Sequence, residues 1–335
     1  MDKQHEIMLE LKNLRTQFIT KDSTTTAVNN VSYNLKRGEV LGLVGESGCG
    51  KSVTALSIMR LFKDTPGKIT GGGVMFGGHD ITRISEREMA KIRGRDIAMI
   101  FQEPMSSLNP TMKIGKQLME VILKHTRVSG QEARARALHM LQQVGIPRVE
   151  QLMNEYPHQL SGGMNQRVMI AMGLSLSPSV LIADEPTTAL DVTIQAQILE
   201  LMKSINQEHG MSILLITHDL GVVAEVCHRV VVMYAGRVVE EADVHNLFAL
   251  PLHPYTQGLI SSTPIMGARL ERLKSIRGNV PSLTNMPNGC VFGPRCDSFS
   301  EHCGKNEPPM FHIETHEGLR KCRCWLVEQQ SVGKE

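Results

Sequence analysis

The chain has 335 residues, 41% of them hydrophobic, which suits one large domain or a main domain with an appendage. Lys and Arg total 36 against 34 Asp and Glu, and a net charge of +2 excludes any general field drawing nucleic acid or anionic membrane to the surface. No run of about eighteen apolar residues appears, so the chain is not expected to span a bilayer itself. The polar start Met1-Asp2-Lys3-Gln4-His5-Glu6 lacks the apolar stretch of a signal peptide, which predicts a cytoplasmic protein. Its seven cysteines then point to thiol or metal roles rather than disulfides.

Residues 8–45 alternate in the manner of strands, with Lys36-Arg37-Gly38 as a hairpin turn. The last of these strands, Val40-Leu41-Gly42-Leu43-Val44, runs into Gly45-Glu46-Ser47-Gly48-Cys49-Gly50-Lys51-Ser52. That stretch fits the phosphate-binding pattern G-x-x-x-x-G-K-[ST] at every fixed position, and Val53 to Met59 reads as the helix that should follow it. Strand, glycine-rich turn and helix N-terminus together form an anion cradle, in which backbone N–H groups converge on phosphate and the helix dipole faces it. The expected roles are backbone contact from Gly45, Ser47, Gly48 and Gly50, outer-phosphate contact from Lys51, and Mg²⁺ ligation by the Ser52 hydroxyl. Cys49 takes a variable position of the pattern. A nucleoside triphosphate is the predicted ligand.

Farther along, Pro66 and Gly71-Gly72-Gly73 are expected to break the chain, with two short strands around Gly77-Gly78. Ser85-Glu86-Arg87-Glu88 is a capping box opening a short helix, and Asp96 to Phe101 is a buried strand ending at Gln102. From about 103 to 170 the pattern turns helical. Ile114, Leu118, Val121 and Ile122 recur at helical spacing, and Ser129-Gly130-Gln131-Glu132 is a second capping box for a helix to about Val144. Alternation then resumes: Val180–Ala183 as strand, Val192–His209 as a helix stopped by Gly210, Ser212–Ile216 as strand, Asp219–Cys227 as helix, and Val230–Tyr234 as strand turning at Gly236. This predicts an α/β domain with a mostly parallel sheet, helices on both faces and a helical insertion. Beyond about 250 the chain is rich in Pro, Gly and Cys with weak periodicity, which predicts a separate small appendage. The 20 dispersed methionines read as fillers of core gaps, and Cys227 as core.

The strand Val180–Ala183 ends in Asp184-Glu185, a carboxylate pair suited to Mg²⁺ coordination through Asp184 and activation of the attacking water by Glu185. Between the loop and this pair, Leu160-Ser161-Gly162-Gly163-Met164-Asn165-Gln166-Arg167 resembles the LSGGQ signature of ATP-binding cassette (ABC) ATPases. Other marks of that family follow in order. Gln102 resembles the Q-loop glutamine, Ala189-Leu190-Asp191 the D-loop, and His218 the switch histidine that senses the γ-phosphate. Phe18 matches the aromatic that stacks on adenine, with a core role as the alternative. Ser161, Gly162 and Gly163 precede the apolar run Val168–Met172 and so form a second anion site at a helix N-terminus. In the family that site faces the γ-phosphate held by another subunit, and two cassettes close head to tail around two ATP molecules. Met164 stands where glutamine is usual; the serine hydroxyl and glycine N–H groups remain, so function is expected to survive.

The resemblance covers about residues 8–325. It implies a P-loop ABC-type nucleotide-binding domain over 8–250, with a mixed sheet, an antiparallel β subdomain and a helical subdomain at about 103–170, and a C-terminal extension over 251–335. Phe101-Gln102-Glu103-Pro104-Met105-Ser106-Ser107-Leu108-Asn109-Pro110, Tyr156-Pro157-His158-Gln159-Leu160 and His253-Pro254-Tyr255-Thr256 are similar to segments of the bacterial peptide/nickel importers. Within that family the chain resembles the first of two paired ATPase subunits of dipeptide or oligopeptide importers. The implied partners are a second related cassette in a heterodimer, two membrane permeases and an extracytoplasmic substrate-binding protein. Membrane contact would come only through the permeases, at the cytoplasmic face of the inner membrane, and no nucleic acid is implied. A nickel or metal-chelate importer is the alternative. A soluble ABC ATPase of DNA repair or translation is more remote, because the chain has one cassette and no heptads.

Cys290-x5-Cys296-x6-Cys303-x18-Cys322 places four thiols in a segment with few periodic apolar residues, and Cys324 is close behind. The spacing is neither a zinc-finger pair nor a common ferredoxin run. The same spacings resemble importer ATPases whose tail holds a [4Fe–4S] cluster. Cluster, zinc and free thiols stay open, with Cys324 as a spare or substitute ligand.

Overall fold

A computed structural model describes residues 6–187, 190–262, 275–315 and 318–332. Its strands are β1 (Ile7–Ile19), β2 (Thr24–Lys36), β3 (Val40–Val44), β4 (Gly67–Phe76), β5 (His79–Asp80), β6 (Ile97–Ile100), β7 (Val180–Asp184), β8 (Ser212–Ile216), β9 (Arg229–Tyr234), β10 (Arg237–Asp243), β11 (Phe311–Thr315) and β12 (Gly318–Cys322). The described chain divides into two compact units. The first is built mainly from residues 35–40 and 76–215, the second from 10–34, 41–75 and 216 onward.

In the first unit β6 and β7 pair in parallel, with Ile97 opposite Val180 and Ile100 opposite Ala183. Every residue of both strands is buried, as expected for continuous apolar runs covered on two faces. The helical stretch is present. The helix Ile114–His125 buries Ile114, Leu118 and Ile122, and its neighbour Gly130–Gln143 buries Ala133, Ala137 and Leu141. The second of these also packs on the helix Gly162–Leu174. From that third helix the buried Arg167 donates to the carbonyls of Val144 (3.0 Å) and Gly145, satisfying acceptors that the end of Gly130–Gln143 would otherwise leave orphaned. The Ser85–Glu88 capping box forms in both directions. At Ser129 only half a box forms: the Glu132 N–H donates to the serine, while the Glu132 carboxylate pairs with Arg136 one turn on.

In the second unit the strand order is β11-β12-β10-β9-β3. β3 and β9 are parallel, whereas β10 is antiparallel to both β9 and β12. The β9–β10 connection is a tight turn with Ala235 at φ 46° and Gly236 at φ 80°, the paired left-handed conformation of two-residue hairpins. β2, β1 and β4 lie side by side in that order. The glycine triplet expected to break the chain instead lies inside β4. Gly72 has φ 70°, and a Cβ there would stand 2.3 Å from the carbonyl oxygens of Lys12 and Asn13, so glycine lets two backbones touch and keeps the strand continuous.

The tail also departs from expectation, since it does not stand apart from its neighbours. β12 pairs with β10, setting Glu240 opposite Cys322 and Glu241 opposite Lys321. Both glutamates are buried, and the tail supplies cations for them: Arg320 reaches Glu240 at 3.2 Å and Lys321 reaches Glu241 at 2.9 Å, while Arg229 of β9 adds a second cation to Glu241 at 2.7 Å. Glu240 also accepts from the backbone N–H groups of Leu252 (2.8 Å) and His253 (2.9 Å). The weak apolar periodicity misleads here because buried ion pairs and strand pairing do the anchoring. Among the described residues no helix is long and apolar enough to cross a membrane.

Candidate functional site

The glycine-rich loop of the second unit lies bare against its neighbours. A Cβ on Gly45 would sit 2.2 Å from the Met233 carbonyl oxygen of β9, and one on Gly50 would sit 2.5 Å from the Ala27 carbonyl oxygen. The Gly236 N–H of the hairpin turn donates to the Cys49 carbonyl at 2.8 Å, bracing the loop from below. Ser47 and Gly48 are exposed at the crest, and the helix Lys51–Met59 starts immediately after Gly50. Lys51 is buried and folds back over the loop, its Nζ donating to the carbonyls of Gly45 (2.7 Å) and Glu46 (3.1 Å). Ser52, in the first turn of the helix, is half-buried. Cys49, at a variable position of the pattern, proves fully buried, and burial raises its thiol pKa against the opposing pull of the Lys51 charge.

Other expected residues of this unit are placed as follows. Phe18 is half-buried and meets Phe62 edge-on, with ring centroids 6.2 Å apart. His218 is exposed on the turn after β8, where Asp219 caps the following helix by accepting from the N–H groups of Gly221 and Val222. The N–H of Thr217, next to His218, donates to the Leu43 carbonyl at 3.4 Å, so this turn stands beside the strand that feeds the loop. Sequence reasoning missed two tail residues that contact the loop, Tyr255 and Arg295, both through Glu46. The motif His253-Pro254-Tyr255-Thr256 marked the first, but nothing in the spacing linked it to a position some two hundred residues earlier.

In the first unit, Asp184 ends β7 and is buried. Glu185 follows at φ 48°, a left-handed conformation that is uncommon for a residue with a Cβ and typical of constrained sites. Gln102 Nε2 donates to Glu185 Oε2 at 3.0 Å, which brings the expected Q-loop glutamine and general base together. Gln166, on the signature helix, donates to the Pro186 carbonyl at 2.6 Å and ties that helix to the segment following the carboxylate pair. Ser161 caps the helix Gly162–Leu174, its hydroxyl accepting from the Met164 N–H at 3.3 Å. An added Cβ on Gly162 would meet nothing, whereas one on Gly163 would come within 3.3 Å of the Leu190 side chain. Of the expected D-loop, Ala189 lies outside the described residues, and Asp191 caps the helix Val192–His209 through the Ile194 N–H at 3.0 Å.

The tail thiols gather in part. Cys290, Cys296, Cys303 and Cys324 line one small cavity together with Phe292 and Trp325. Cys322 is elsewhere, buried in β12 opposite Glu240. The expected set of Cys290, Cys296, Cys303 and Cys322 is therefore not the set that converges. Strand geometry accounts for this, since Cys322 is held in the ladder while Cys324 lies beyond its end. Burial first, and then the neighbouring Cys290, Cys296 and Cys303, push the Cys324 thiol up to about 11. Among the described residues no three His, Cys, Asp or Glu side chains stand as a ready-made site for a single ion.

The ABC transporter profile matches residues 28–188, and the profile of the oligopeptide/dipeptide transporter C-terminal region matches residues 239–303. The chain is 52% identical over 325 residues to the oligopeptide transport ATP-binding protein AppD of Bacillus subtilis (strain 168), covering 97% of this chain and 98% of that one. It is 50% identical to the probable peptide ABC transporter ATP-binding protein y4tR of Sinorhizobium fredii, over 96% of this chain and 95% of that one. The dipeptide transport ATP-binding protein DppD of Bacillus subtilis is 47% identical, over 97% and 96%. A solved dimeric bacterial ABC transporter cassette superposes with a TM-score of 0.65 at 32% identity, covering 71% of this chain and 99% of that one. With relatives about 50% identical along nearly the whole sequence, the chain belongs to the ATP-hydrolysing ABC transporter family, in the group that carries the oligopeptide/dipeptide transporter C-terminal region.

Proposed function

We propose that this ABC ATPase energises the import of dipeptides or oligopeptides across a bacterial cytoplasmic membrane, working at its inner face as a peripheral subunit. The observation that carries the proposal is the similarity to peptide-transport ATP-binding proteins over 96–97% of the chain, tail included. In this reading the chain pairs head to tail with a second cassette and docks on two permeases, which receive peptide from an extracytoplasmic binding protein. ATP and Mg²⁺ are the ligands. Lys51 and the loop N–H groups hold the outer phosphates, Ser52 and Asp184 serve Mg²⁺ with Gln102, Glu185 orients and deprotonates the attacking water, and His218 senses the γ-phosphate. Phe18 offers an aromatic face for adenine beside Phe62. Ser161, Gly162 and Gly163 offer their anion site to the triphosphate of the partner cassette. Deleting the gene should abolish growth on peptides as the sole source of a required amino acid while leaving nickel uptake intact; lost nickel uptake with normal growth on peptides would reverse the assignment of cargo.

We further propose that the tail thiols hold a [4Fe–4S] cluster through Cys290, Cys296, Cys303 and Cys324. The donor chemistry fits, because the positive charge of a bound centre would offset the burial that raises the Cys290, Cys296 and Cys324 thiols. A cluster is several atoms across and takes ligands farther apart than one ion does, which favours it over zinc for four thiols around a cavity. When bound it would tie together a segment with little apolar periodicity. Anaerobically purified protein should be brown and contain iron and acid-labile sulfide. Cys324→Ser should lose both, and Cys322→Ser should retain them. The opposite pattern would restore Cys322 as ligand, and a colourless protein with stoichiometric zinc would dismiss the cluster.

A further inference from the structure

Glu46 occupies a variable position of the phosphate loop, yet the C-terminal segment grips it twice. Its carboxylate accepts from Arg295 in a bidentate arrangement, Nη1 to Oε2 at 2.6 Å and Nη2 to Oε1 at 2.9 Å. Its backbone N–H donates to the Tyr255 hydroxyl at 2.8 Å. Neither partner has room to wander. The Arg295 side chain is 4% exposed, donates from Nε to the Arg277 carbonyl at 2.8 Å, and lies 5.7 Å from the Tyr234 ring centroid. Tyr255 is fully buried, with its ring 4.7 Å from Tyr234 and 5.4 Å from Phe292. On its other side the Glu46 carbonyl accepts from Lys51. One loop residue thus links the phosphate-contacting lysine to the tail.

Two effects follow from elementary electrostatics. A bidentate guanidinium–carboxylate pair fixes orientation as well as distance, which a lysine could not do. A carboxylate left unpaired on the loop would repel a polyanionic nucleotide, and a buried guanidinium beside it cancels that repulsion. We propose that Arg295 and Tyr255 are positioning residues of the ATP site, and that Arg295 sets the loop's affinity for triphosphate by neutralising Glu46. The proposal rests on the reading that this loop takes ATP.

The test is the binding of a fluorescent ATP analogue to the full-length chain at low and high salt. Arg295→Ala should weaken binding about tenfold at low salt, with the deficit shrinking as salt screens the exposed carboxylate. Adding Glu46→Gln to Arg295→Ala should restore affinity to near the wild-type value, because no charge then needs cancelling. A packing role for Arg295 would leave the double variant as weak as the single one, and that result, or an unchanged Kd in Arg295→Ala, overturns the proposal. Should Arg295→Ala fail to fold, Glu46→Gln alone decides: it leaves an unopposed cation by the loop and should tighten binding at low salt, and an unchanged or weaker Kd refutes the charge argument. Wild-type protein that binds no ATP analogue would instead sink the reading of the loop itself.

Discussion

Lys51→Ala should lower ATP affinity by at least about a hundredfold, measured by equilibrium binding to a protein that still gives a native circular dichroism spectrum. The lysine ammonium is buried and already poised over the loop, donating to the Gly45 and Glu46 carbonyls. Outer phosphate oxygens are stronger acceptors than carbonyls, so ligand binding would draw the same donors onto the nucleotide without a search through side-chain conformations. Removing it takes away the charge that offsets the phosphates and also leaves two loop carbonyls short of a donor. Unchanged affinity would show that the loop is not the phosphate site.

Glu185→Gln should leave ATP affinity near the wild-type value, cut turnover by roughly a hundredfold to ten-thousandfold, and accumulate a nucleotide-bound dimer on gel filtration. The substitution isolates proton abstraction. A glutamine can still accept the hydrogen bond that Gln102 Nε2 gives to Glu185 at 3.0 Å, and it takes the same left-handed backbone at no greater strain. Geometry is therefore kept while basicity is lost. Hydrolysis at the native rate would remove Glu185 from the role of general base.

The parts of this protein that sequence made legible are those where chemistry or burial is local. Gly45 to Ser52 announces itself because bare backbone, a lysine and a hydroxyl must follow one another within eight residues. β3, β7 and β8 are legible because strands buried on both faces are unbroken apolar runs. The Ser85 box and the Gly210 stop are legible because caps are satisfied within one turn. What escaped is non-local. β10 carries two adjacent glutamates that would ordinarily face water, and they are buried because Arg320 and Lys321 arrive from some eighty residues away. The same holds for Arg295 on Glu46, and for the preference of the thiol cavity for Cys324 over Cys322, which depends on where a strand ends rather than on spacing. Gly72 misled for a related reason, since a glycine that admits a neighbouring backbone looks the same in sequence as one that ends a strand.

The Glu240 arrangement bears on how this cassette could be trimmed. A cut near residue 250, where composition suggests a boundary, would remove Arg320 and the Leu252 and His253 N–H groups together, stripping the carboxylate of every donor described above. An ionised group stranded in that way destabilises a fold by about 3–5 kcal/mol, a large fraction of the net stability of an ordinary domain. Replacing Glu240 with an uncharged residue would remove that penalty from a shortened chain. The tail is in this sense an ionic keel, and a minimal cassette built from this sequence would have to be redesigned at β10 before it was shortened.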